Sequence, residues 1–431
     1  MAITLSHSTK IIKGSIALTA SKSISNRVLI IKALCDSDFN ISNLATAKDT
    51  VTLNKLLFNN DEQIFDVGHA GTVMRFLTAY LSLKVGEFDI TGSERMQQRP
   101  IRVLVDALRE LEAKIEYLKN EGYPPLKITG GLITGNKIEI DGGVSSQYIS
   151  ALMLIAPKIK GGLTIQFKNE IISKPYINMT LEIMKGFGAD INWVDETIVV
   201  NECNYIAKDF IVEADWSSAS YWYGIAALAN EVEINLYGLS KNSLQGDAVV
   251  QDIYKNFGVK TEFIENGVRL TKSLHQPITS SFHFDFENCP DIAQTVAVTC
   301  AALNVEAKFT GLKTLRIKET DRIFALQQEL TKLGFTVEVG GDDLIIIPSF
   351  RAVNLSGVEG EVKQSPFSRL SCEGRNLYDW DGKFVDTYDD HRMAMAFAPL
   401  ALLAPITIND ENVVVKSYPD VWSDLKSVGF E

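Results

Sequence analysis

The sequence is poor in the features that mark secreted, metal-binding, membrane or nucleic-acid-binding proteins. It has five cysteines in 431 residues, an odd number, and no Cys-x-x-Cys pair, which argues against a disulfide framework or a zinc site. No apolar run is long enough to span a bilayer, and the N-terminus lacks an apolar stretch after a basic start, so no signal peptide is predicted. No Lys/Arg block stands out. We expect a cytoplasmic protein without metal, membrane or nucleic-acid partners.

Acidic residues are in excess, with 54 Asp and Glu against 42 Lys and Arg and a formal net charge of −12. This balance favours solubility but repels an anionic ligand at long range. Any anion site must therefore be built locally. The length of the chain favours about two or three domains.

One pattern recurs along the chain: an amphipathic helix, a turn that often contains glycine, and a strand. The helix-to-strand turns lie near residues 112, 188, 258 and 334, roughly 70–76 residues apart. Degraded copies occur near residues 53–65 and at the C-terminus. The pattern predicts a repeated α/β unit that is present about six times.

A second class of helix is apolar nearly all round, which is typical of helices buried on every face. We infer that these helices form the centre, surrounded by sheets and amphipathic helices. Examples are "GTVMRFLTAYLSL", "SQYISALMLIAPKI", "ASYWYGIAALA", "DIAQTVAVTCAAL" and "RMAMAFAPLALLA".

The buried helices share polar residues at their starts. A buried helix start has unpaired N–H groups and a partial positive charge, so it suits an anion. Ser, Thr and Asp are also ordinary N-caps, and at any single site that alternative stays open. Unpaired buried cations are costly, so the four basic residues near these starts need anions. These four are Lys22, Arg27, Arg75 and Arg392.

Two segments carry the strongest local signals, residues 317–330 and 386–400. In the first, Glu319 and Arg322 stand three residues apart at a helix start; a surface ion pair is the alternative. In the second, His391 and its neighbouring arginine lie between two carboxylates and an apolar helix. A capped helix with a satisfied histidine is the alternative there.

Eleven short motifs are spread over nearly the whole chain. They are "SKSISNR", "AGTVMR", "QQRPI", "GGVSSQY", "SKPYINMT", "EADWSSASY", "NSLQGD", "PDIAQT", "KETDR", "DDHRMAMAFA" and "VVKSYPD". In sequence and in order they resemble the motifs of the 5-enolpyruvylshikimate-3-phosphate synthases, in the enolpyruvyl transferase family. The resemblance implies a transferase without a cofactor. It would move the enolpyruvyl group of phosphoenolpyruvate onto the 5-hydroxyl of shikimate 3-phosphate and release phosphate.

The resemblance also implies an α/β fold of two inside-out domains, each of three repeated units with buried central helices and outer sheets. One domain would comprise residues 1–19 and 241–431, and the other residues 20–240, with the active site in the cleft between them. We expect a monomer.

Carried over position by position, the resemblance assigns three sets of site residues. Shikimate 3-phosphate would be bound by Lys22, Ser23, Arg27, Ser145, Ser146, Gln147, Ser173, Tyr176, Asp291 and Lys318. Phosphoenolpyruvate would be bound by Lys22, Gly71, Arg99, Gln147, Arg322, Arg392 and Lys416. In proton transfer, Asp291 is the candidate base, Glu319 the candidate proton donor with Lys22 as its rival, and His391 would orient or polarise Glu319.

Some positions depart from the family pattern, namely His69, Phe76, Thr19-Ala20 and Thr314-Leu315. They leave ligand affinity and the response to the inhibitor glyphosate open. Two alternatives are a UDP-N-acetylglucosamine enolpyruvyl transferase and a non-catalytic anion-binding relative. The first usually carries a reactive cysteine where this chain reads "GSERMQQRPIR", and the second should have lost a charge at Asp291, Glu319 or Arg392.

Overall fold

A computed structural model of the protein describes residues 1–58, 63–131, 133–272, 278–348, 380 and 382–431. These residues form two compact units. The terminal unit comprises residues 1–18, 216–241 and 247–431, and the inserted unit comprises residues 19–215 and 242–246.

The described residues form twelve α-helices. They are α1 (Lys22–Leu34), α2 (Lys48–Phe58), α3 (Gly71–Leu83), α4 (Arg102–Glu110), α5 (Ser146–Ile155), α6 (Lys174–Gly186), α7 (Trp216–Leu228), α8 (Val250–Ile253), α9 (Ala293–Ala302), α10 (Arg322–Lys332), α11 (His391–Phe397) and α12 (Val421–Ser427).

The predicted buried helices are confirmed. All residues of α7, α9 and α11 are buried, and α1, α3 and α5 expose only a few side chains each. Helices α2, α4, α6, α10 and α12 alternate buried and exposed faces, as expected for the amphipathic class. Cys300 on α9 is fully buried, as its apolar surroundings predict. The four cysteines that the structure describes are free thiols; Cys372 lies outside the described residues.

Twenty-one strands are formed by the same residues. They are β1 (Ala2–Leu5), β2 (Ile11–Ala17), β3 (Ile41–Ser42), β4 (Ile64–Asp66), β5 (Gly86–Thr91), β6 (Lys114–Tyr117), β7 (Leu126–Gly130), β8 (Lys137–Ile140), β9 (Leu163–Phe167), β10 (Ile191–Val194), β11 (Thr197–Val200), β12 (Phe210–Ile211), β13 (Glu231–Tyr237), β14 (Val259–Ile264), β15 (Gly267–Lys272), β16 (Ser281–Asp285), β17 (Glu306–Thr310), β18 (Thr336–Gly340), β19 (Asp343–Ile347), β20 (Phe384–Val385) and β21 (Ile406–Asn409).

Each unit contains three sheets within the described residues. The inserted unit has the orders β4-β5-β7-β6, β10-β11-β9-β8 and β12-β3, and the terminal unit has β14-β15-β13-β2, β16-β17-β19-β18 and β1-β21-β20. Four of the six sheets contain a parallel pair that brackets one buried helix: β4 and β5 around α3, β8 and β9 around α5, β16 and β17 around α9, and β20 and β21 around α11. Parallel neighbours need such a crossover connection. The α/β class and the three repeats per unit agree with the prediction.

The remaining two sheets explain how the chain passes between units. Here α1 follows β2 and α7 follows β12, and the chain changes unit between strand and helix, at 18/19 and at 215/216. As a result β2 pairs in parallel with β13, and β3 with β12.

The predicted domain boundary near residue 240 is therefore corrected. Residues 216–240 belong to the terminal unit, because β13 pairs along its whole length with β2. Residues 242–246 return to the inserted unit, where the side-chain Nε2 of Gln245 donates to the carbonyl of Ala214 at 2.8 Å. In the described part of the chain, no helix is long and apolar enough to cross a membrane.

Candidate active site

In the inserted unit, the buried guanidinium of Arg27 gathers two predicted substrate-binding segments. Its Nη1 donates to the carbonyl of Ser23 at 2.8 Å, and its Nη2 donates to the carbonyl of Tyr176 at 3.3 Å. The hydroxyls of Thr180 and Ser150 accept its other hydrogen bonds, at 2.7 and 3.3 Å. All these acceptors are neutral, and burial lowers the pKa of Arg27 to about 10.

A second cluster surrounds the start of α3, which has no side-chain cap. A Cβ built on Gly71 would lie 2.6 Å from an Nη atom of both Arg75 and Arg99, so both guanidinium groups lie against this backbone. Arg75 stacks over the ring of Tyr148 at 5.2 Å, and the hydroxyl of Tyr148 donates to the carbonyl of Pro100 at 2.6 Å. The Nε and Nη1 atoms of Arg75 are buried without a hydrogen-bond partner among the described residues. The expectation that Arg75 needs an anion stays a prediction.

The start of α5 presents the serine pair of the sequence motif. Ser145 is the N-cap and accepts a hydrogen bond from the amide of Gln147 at 3.4 Å. The Oε1 atom of Gln147 is buried and has no partner in the described residues. Ser173 precedes α6 in a left-handed conformation, with φ of 54°. Lys22, the first residue of α1, pairs with Asp49 at 3.2 Å.

In the terminal unit, Asp291 is the centre of an ion-pair network. Its Oδ1 lies 3.1 Å from Nη1 of Arg322 and 3.4 Å from Nζ of Lys318. Its Oδ2 accepts a hydrogen bond from Nη2 of Arg392 at 2.9 Å, and its carbonyl accepts one from Nη1 of Arg392 at 3.0 Å. Burial alone would raise the pKa of Asp291, but Arg392, Lys318 and Arg322 outweigh burial and hold the pKa well below its usual range.

Arg322 contacts three carboxylates at once. Its Nε lies 2.6 Å from Oδ2 of Asp390 and its Nη2 lies 2.9 Å from Oε2 of Glu319, in addition to the contact with Asp291. Burial alone would lower the pKa of Arg322, but Asp390, Glu319 and Asp291 raise it above its ordinary value. The predicted pair of Glu319 and Arg322 is therefore part of a buried network and no simple surface pair.

Residues 386–392 supply the other side of this network. Asp390 is the N-cap of α11 and accepts a hydrogen bond from the amide of Arg392 at 2.8 Å. His391 is buried at the first position of α11, and its Nδ1 lies 3.9 Å from Oδ1 of Asp390. Lys416 donates to the carbonyl and the carboxylate of Asp389, at 2.7 and 2.8 Å.

The structure brings the predicted residues into one cluster in the terminal unit and several smaller groups in the inserted unit. The terminal cluster joins Asp291, Lys318, Glu319, Arg322, Arg392 and Asp390. The orienting contact between His391 and Glu319 remains a prediction. Sequence reasoning missed Asp49, which no local signal marks, and gave Asp390 no role beyond that of a helix start, although its place directly before His391 identifies it as an N-cap. No group of three or more His, Cys, Asp or Glu side chains in the described ranges could hold a metal ion.

Comparisons with known proteins identify the family of the chain. The sequence model of EPSP synthase (3-phosphoshikimate 1-carboxyvinyltransferase) matches residues 53–425. A Bacteroides fragilis protein (strain YCH46) named 3-phosphoshikimate 1-carboxyvinyltransferase is 48% identical over 421 residues, which cover 97% of this chain and 96% of that protein. A Sulfurovum protein of the same name is 36% identical over 446 residues, covering 97% of each chain.

The fold is also that of solved structures. The structure of EPSP synthase from Acinetobacter baumannii superposes with a TM-score of 0.75 over 100% of this chain and 99% of that one, at 19% identity. At 19% identity this match supports the fold alone. The assignment to a family rests on the two curated relatives. The chain is an enzyme that belongs to the EPSP synthase (3-phosphoshikimate 1-carboxyvinyltransferase) family.

Proposed function

We propose that this enzyme transfers the enolpyruvyl group of phosphoenolpyruvate to the 5-hydroxyl of shikimate 3-phosphate and releases inorganic phosphate. The observation that carries this proposal is the network around Asp291, in which one partly buried carboxylate is held by three cations. Such an arrangement suits a reaction between two polyanions that also needs a base. The charges at Asp291, Glu319 and Arg392 are all present, which favours a catalyst over a non-catalytic relative.

The proposed shikimate 3-phosphate residues lie mainly in the inserted unit. Four of the five N–H groups of Arg27 are already engaged by protein acceptors. Arg27 therefore contributes its charge and holds Ser23 and Tyr176 in place. The start of α5, with Ser145 and Ser146, offers backbone and hydroxyl donors to a phosphate.

For phosphoenolpyruvate, we propose the guanidinium groups at Gly71 together with the cations of the terminal network. Arg75 joins Arg99 here, because its buried nitrogens lack partners within the described residues and a carboxylate or phosphate would satisfy them. Guanidinium groups match such oxygens bidentately. The remaining phosphoenolpyruvate residues are Lys22, Gln147, Arg322, Arg392 and Lys416.

The proton transfers follow from the charges. Asp291 is ionised but a weak base, because its cations hold its pKa low. Anionic substrates compete for those cations, so their binding raises the pKa of Asp291 and allows it to take the proton of the 5-hydroxyl as that oxygen attacks C2 of phosphoenolpyruvate. Glu319, or its rival Lys22, delivers a proton to C3. The tetrahedral adduct then loses phosphate from C2 and a proton from C3, which restores the double bond.

A phosphate-release assay tests the proposal. We expect release only when both shikimate 3-phosphate and phosphoenolpyruvate are present, and unchanged release in the presence of a chelator. A matched reaction with UDP-N-acetylglucosamine as acceptor should give none. Activity with that acceptor, or no activity with shikimate 3-phosphate, would overturn the proposal. We further propose a cytoplasmic monomer; light scattering on a sizing column tests the oligomeric state.

A further inference from the structure

Glu329 is a fully buried carboxylate on α10 that the proposed reaction does not use. Its Oε1 accepts a hydrogen bond from the hydroxyl of Tyr388 at 2.7 Å. Its Oε2 accepts one from the amide of Asp386 at 3.1 Å and pairs with Nζ of Lys332 at 2.7 Å. A buried carboxylate is costly unless it is paired and hydrogen-bonded, and here both oxygens are satisfied by the segment 386–390 and one lysine.

The segment 386–390 has an unusual backbone. Tyr388 and Asp389 are consecutive residues in the left-handed region, with φ of 53° and 58°. Neither is glycine, so each carries a steric cost in this conformation. Such a conformation persists only where contacts with the surrounding residues hold the backbone in place.

Helix α10 holds both ends of this segment. Arg322, at its start, binds the carboxylate of Asp390, and Glu329 binds the amide of Asp386 and the hydroxyl of Tyr388. Residues seven apart lie on nearly the same helix face, about two turns from each other. The segment is therefore fixed to one face of α10.

The segment 386–390 contacts groups of the candidate active site. Asp389 binds Nζ of Lys416 through its carbonyl and carboxylate. Asp390 caps α11, which begins with His391 and places Arg392 on Asp291. Any change in the left-handed turn would shift all of these groups together.

We propose that Glu329 is a positioning residue for the enolpyruvyl transfer: it fixes the left-handed turn of the segment 386–390 and thereby sets Lys416, His391 and Arg392 for phosphoenolpyruvate. Glu329 itself does not touch a substrate. The inference rests on the proposed function for the identity of the ligand, and on the contacts of α10 for the role.

The test compares Tyr388→Phe and Glu329→Gln with wild type by steady-state kinetics and by calorimetry with shikimate 3-phosphate. Tyr388→Phe removes one hydrogen bond of the clamp and should raise KM for phosphoenolpyruvate about fivefold to tenfold, the scale of one such bond. Glu329→Gln keeps the size but loses the charge opposite Lys332, and should raise this KM at least as much. Binding of shikimate 3-phosphate should stay within about twofold of wild type, because most of its proposed residues lie elsewhere.

The matched control is Tyr254→Phe. It removes a buried hydroxyl of the same unit, hydrogen-bonded to Thr299 at 2.8 Å. This variant should leave the KM for phosphoenolpyruvate and the binding of shikimate 3-phosphate unchanged. An unchanged KM for phosphoenolpyruvate in both test variants would overturn the inference. So would parallel losses for both substrates in proportion to lost thermal stability, since these would show a structural role only. Inactive wild type would instead overturn the proposed function, so the two failures are distinguishable.

Discussion

The two units hold their buried arginines in opposite ways. In the inserted unit, the acceptors around Arg27 are hydroxyls and carbonyls, and Arg75 stacks on an aromatic ring. In the terminal unit, Arg322 meets three carboxylates. The electrostatic consequences differ in sign: burial lowers the pKa of Arg27 to about 10, whereas carboxylates raise the pKa of Arg322 above its ordinary value.

This difference indicates which buried arginines stabilise an incoming anion most. A buried cation without a counter-ion has a desolvation cost that neutral hydrogen-bond acceptors or an aromatic ring offset only in part. A cation already paired must first give up its carboxylate. We therefore expect Arg75 to accept an anion directly, and Arg322 and Arg392 to exchange one anion for another. Lys22, which pairs with Asp49, is an exception within the inserted unit.

The largest effect is expected from Asp291→Asn, which leaves the terminal cations without their central carboxylate. Turnover should fall by about 100-fold or more, as is typical when a general base is lost. Shikimate 3-phosphate should still bind, though more weakly. The control is Asp343→Asn, which breaks a partly exposed pair with Lys308 and should leave turnover unchanged. Near-normal turnover of Asp291→Asn, with intact substrate binding by calorimetry, would show that another group is the base.

The free energy of unfolding of two arginine variants, one in each unit, tests whether the units hold their buried arginines differently. Arg322→Met removes the cationic partner of the buried carboxylate of Asp390 and should lower the free energy of unfolding by about 3–5 kcal/mol. Arg75→Met removes a buried cation that has no ionic partner in the described residues, so stability should not fall. Denaturant titration of both unliganded variants measures this. Equal destabilisation would mean that the two units hold their cations alike.

At Gly71, a side chain fits in the inserted unit only if two guanidinium groups move. In Gly71→Ala the new Cβ would approach Arg75 and Arg99 to 2.6 Å, so both guanidinium groups must shift. We expect a KM for phosphoenolpyruvate about tenfold higher and weaker inhibition by glyphosate, measured at several phosphoenolpyruvate concentrations. Gly186→Ala is the control, because a Cβ built on Gly186 would lie 3.8 Å from Nζ of Lys208, an ordinary van der Waals contact. If Gly71→Ala is inhibited like wild type, then Gly71 does not line the inhibitor site.

The smallest effect is a change in acid sensitivity. Because the pKa of folded Asp291 lies below the ordinary value near 4, the folded state binds fewer protons there than the unfolded state. The stability from this carboxylate is therefore present above about pH 4 and is lost as the pH falls further. In Asp291→Asn the free energy of unfolding should decline less steeply between about pH 4 and 2. Parallel profiles for wild type and variant would contradict this assignment.

The properties that could be predicted from the sequence are local ones. Helices apolar on all sides, such as α7 and α9, are recognisable as buried from their composition, and Ser145 and Asp390 cap helices as their positions suggest. The crossing at 215/216 could not be predicted, because the junction between β12 and α7 is a strand-to-helix junction like those inside each unit. The partners of Lys22 and Arg27 could not be predicted from local sequence either, because Asp49 and Thr180 lie 27 and 153 residues away along the chain.

Because the chain leaves the terminal unit after β2 and returns to it at α7, the two units become complete at different times during synthesis on the ribosome. Strand β2 can pair with its parallel partner β13 only after β13 is made, and β1 can pair with its antiparallel partner β21 only when β21 emerges about 400 residues later. At about 5–20 residues per second that wait lasts about 20–80 s. The inserted unit has nearly all of its residues by position 215, so it can fold while the rest of the chain is being synthesised. The terminal unit can close only after translation has passed residue 409.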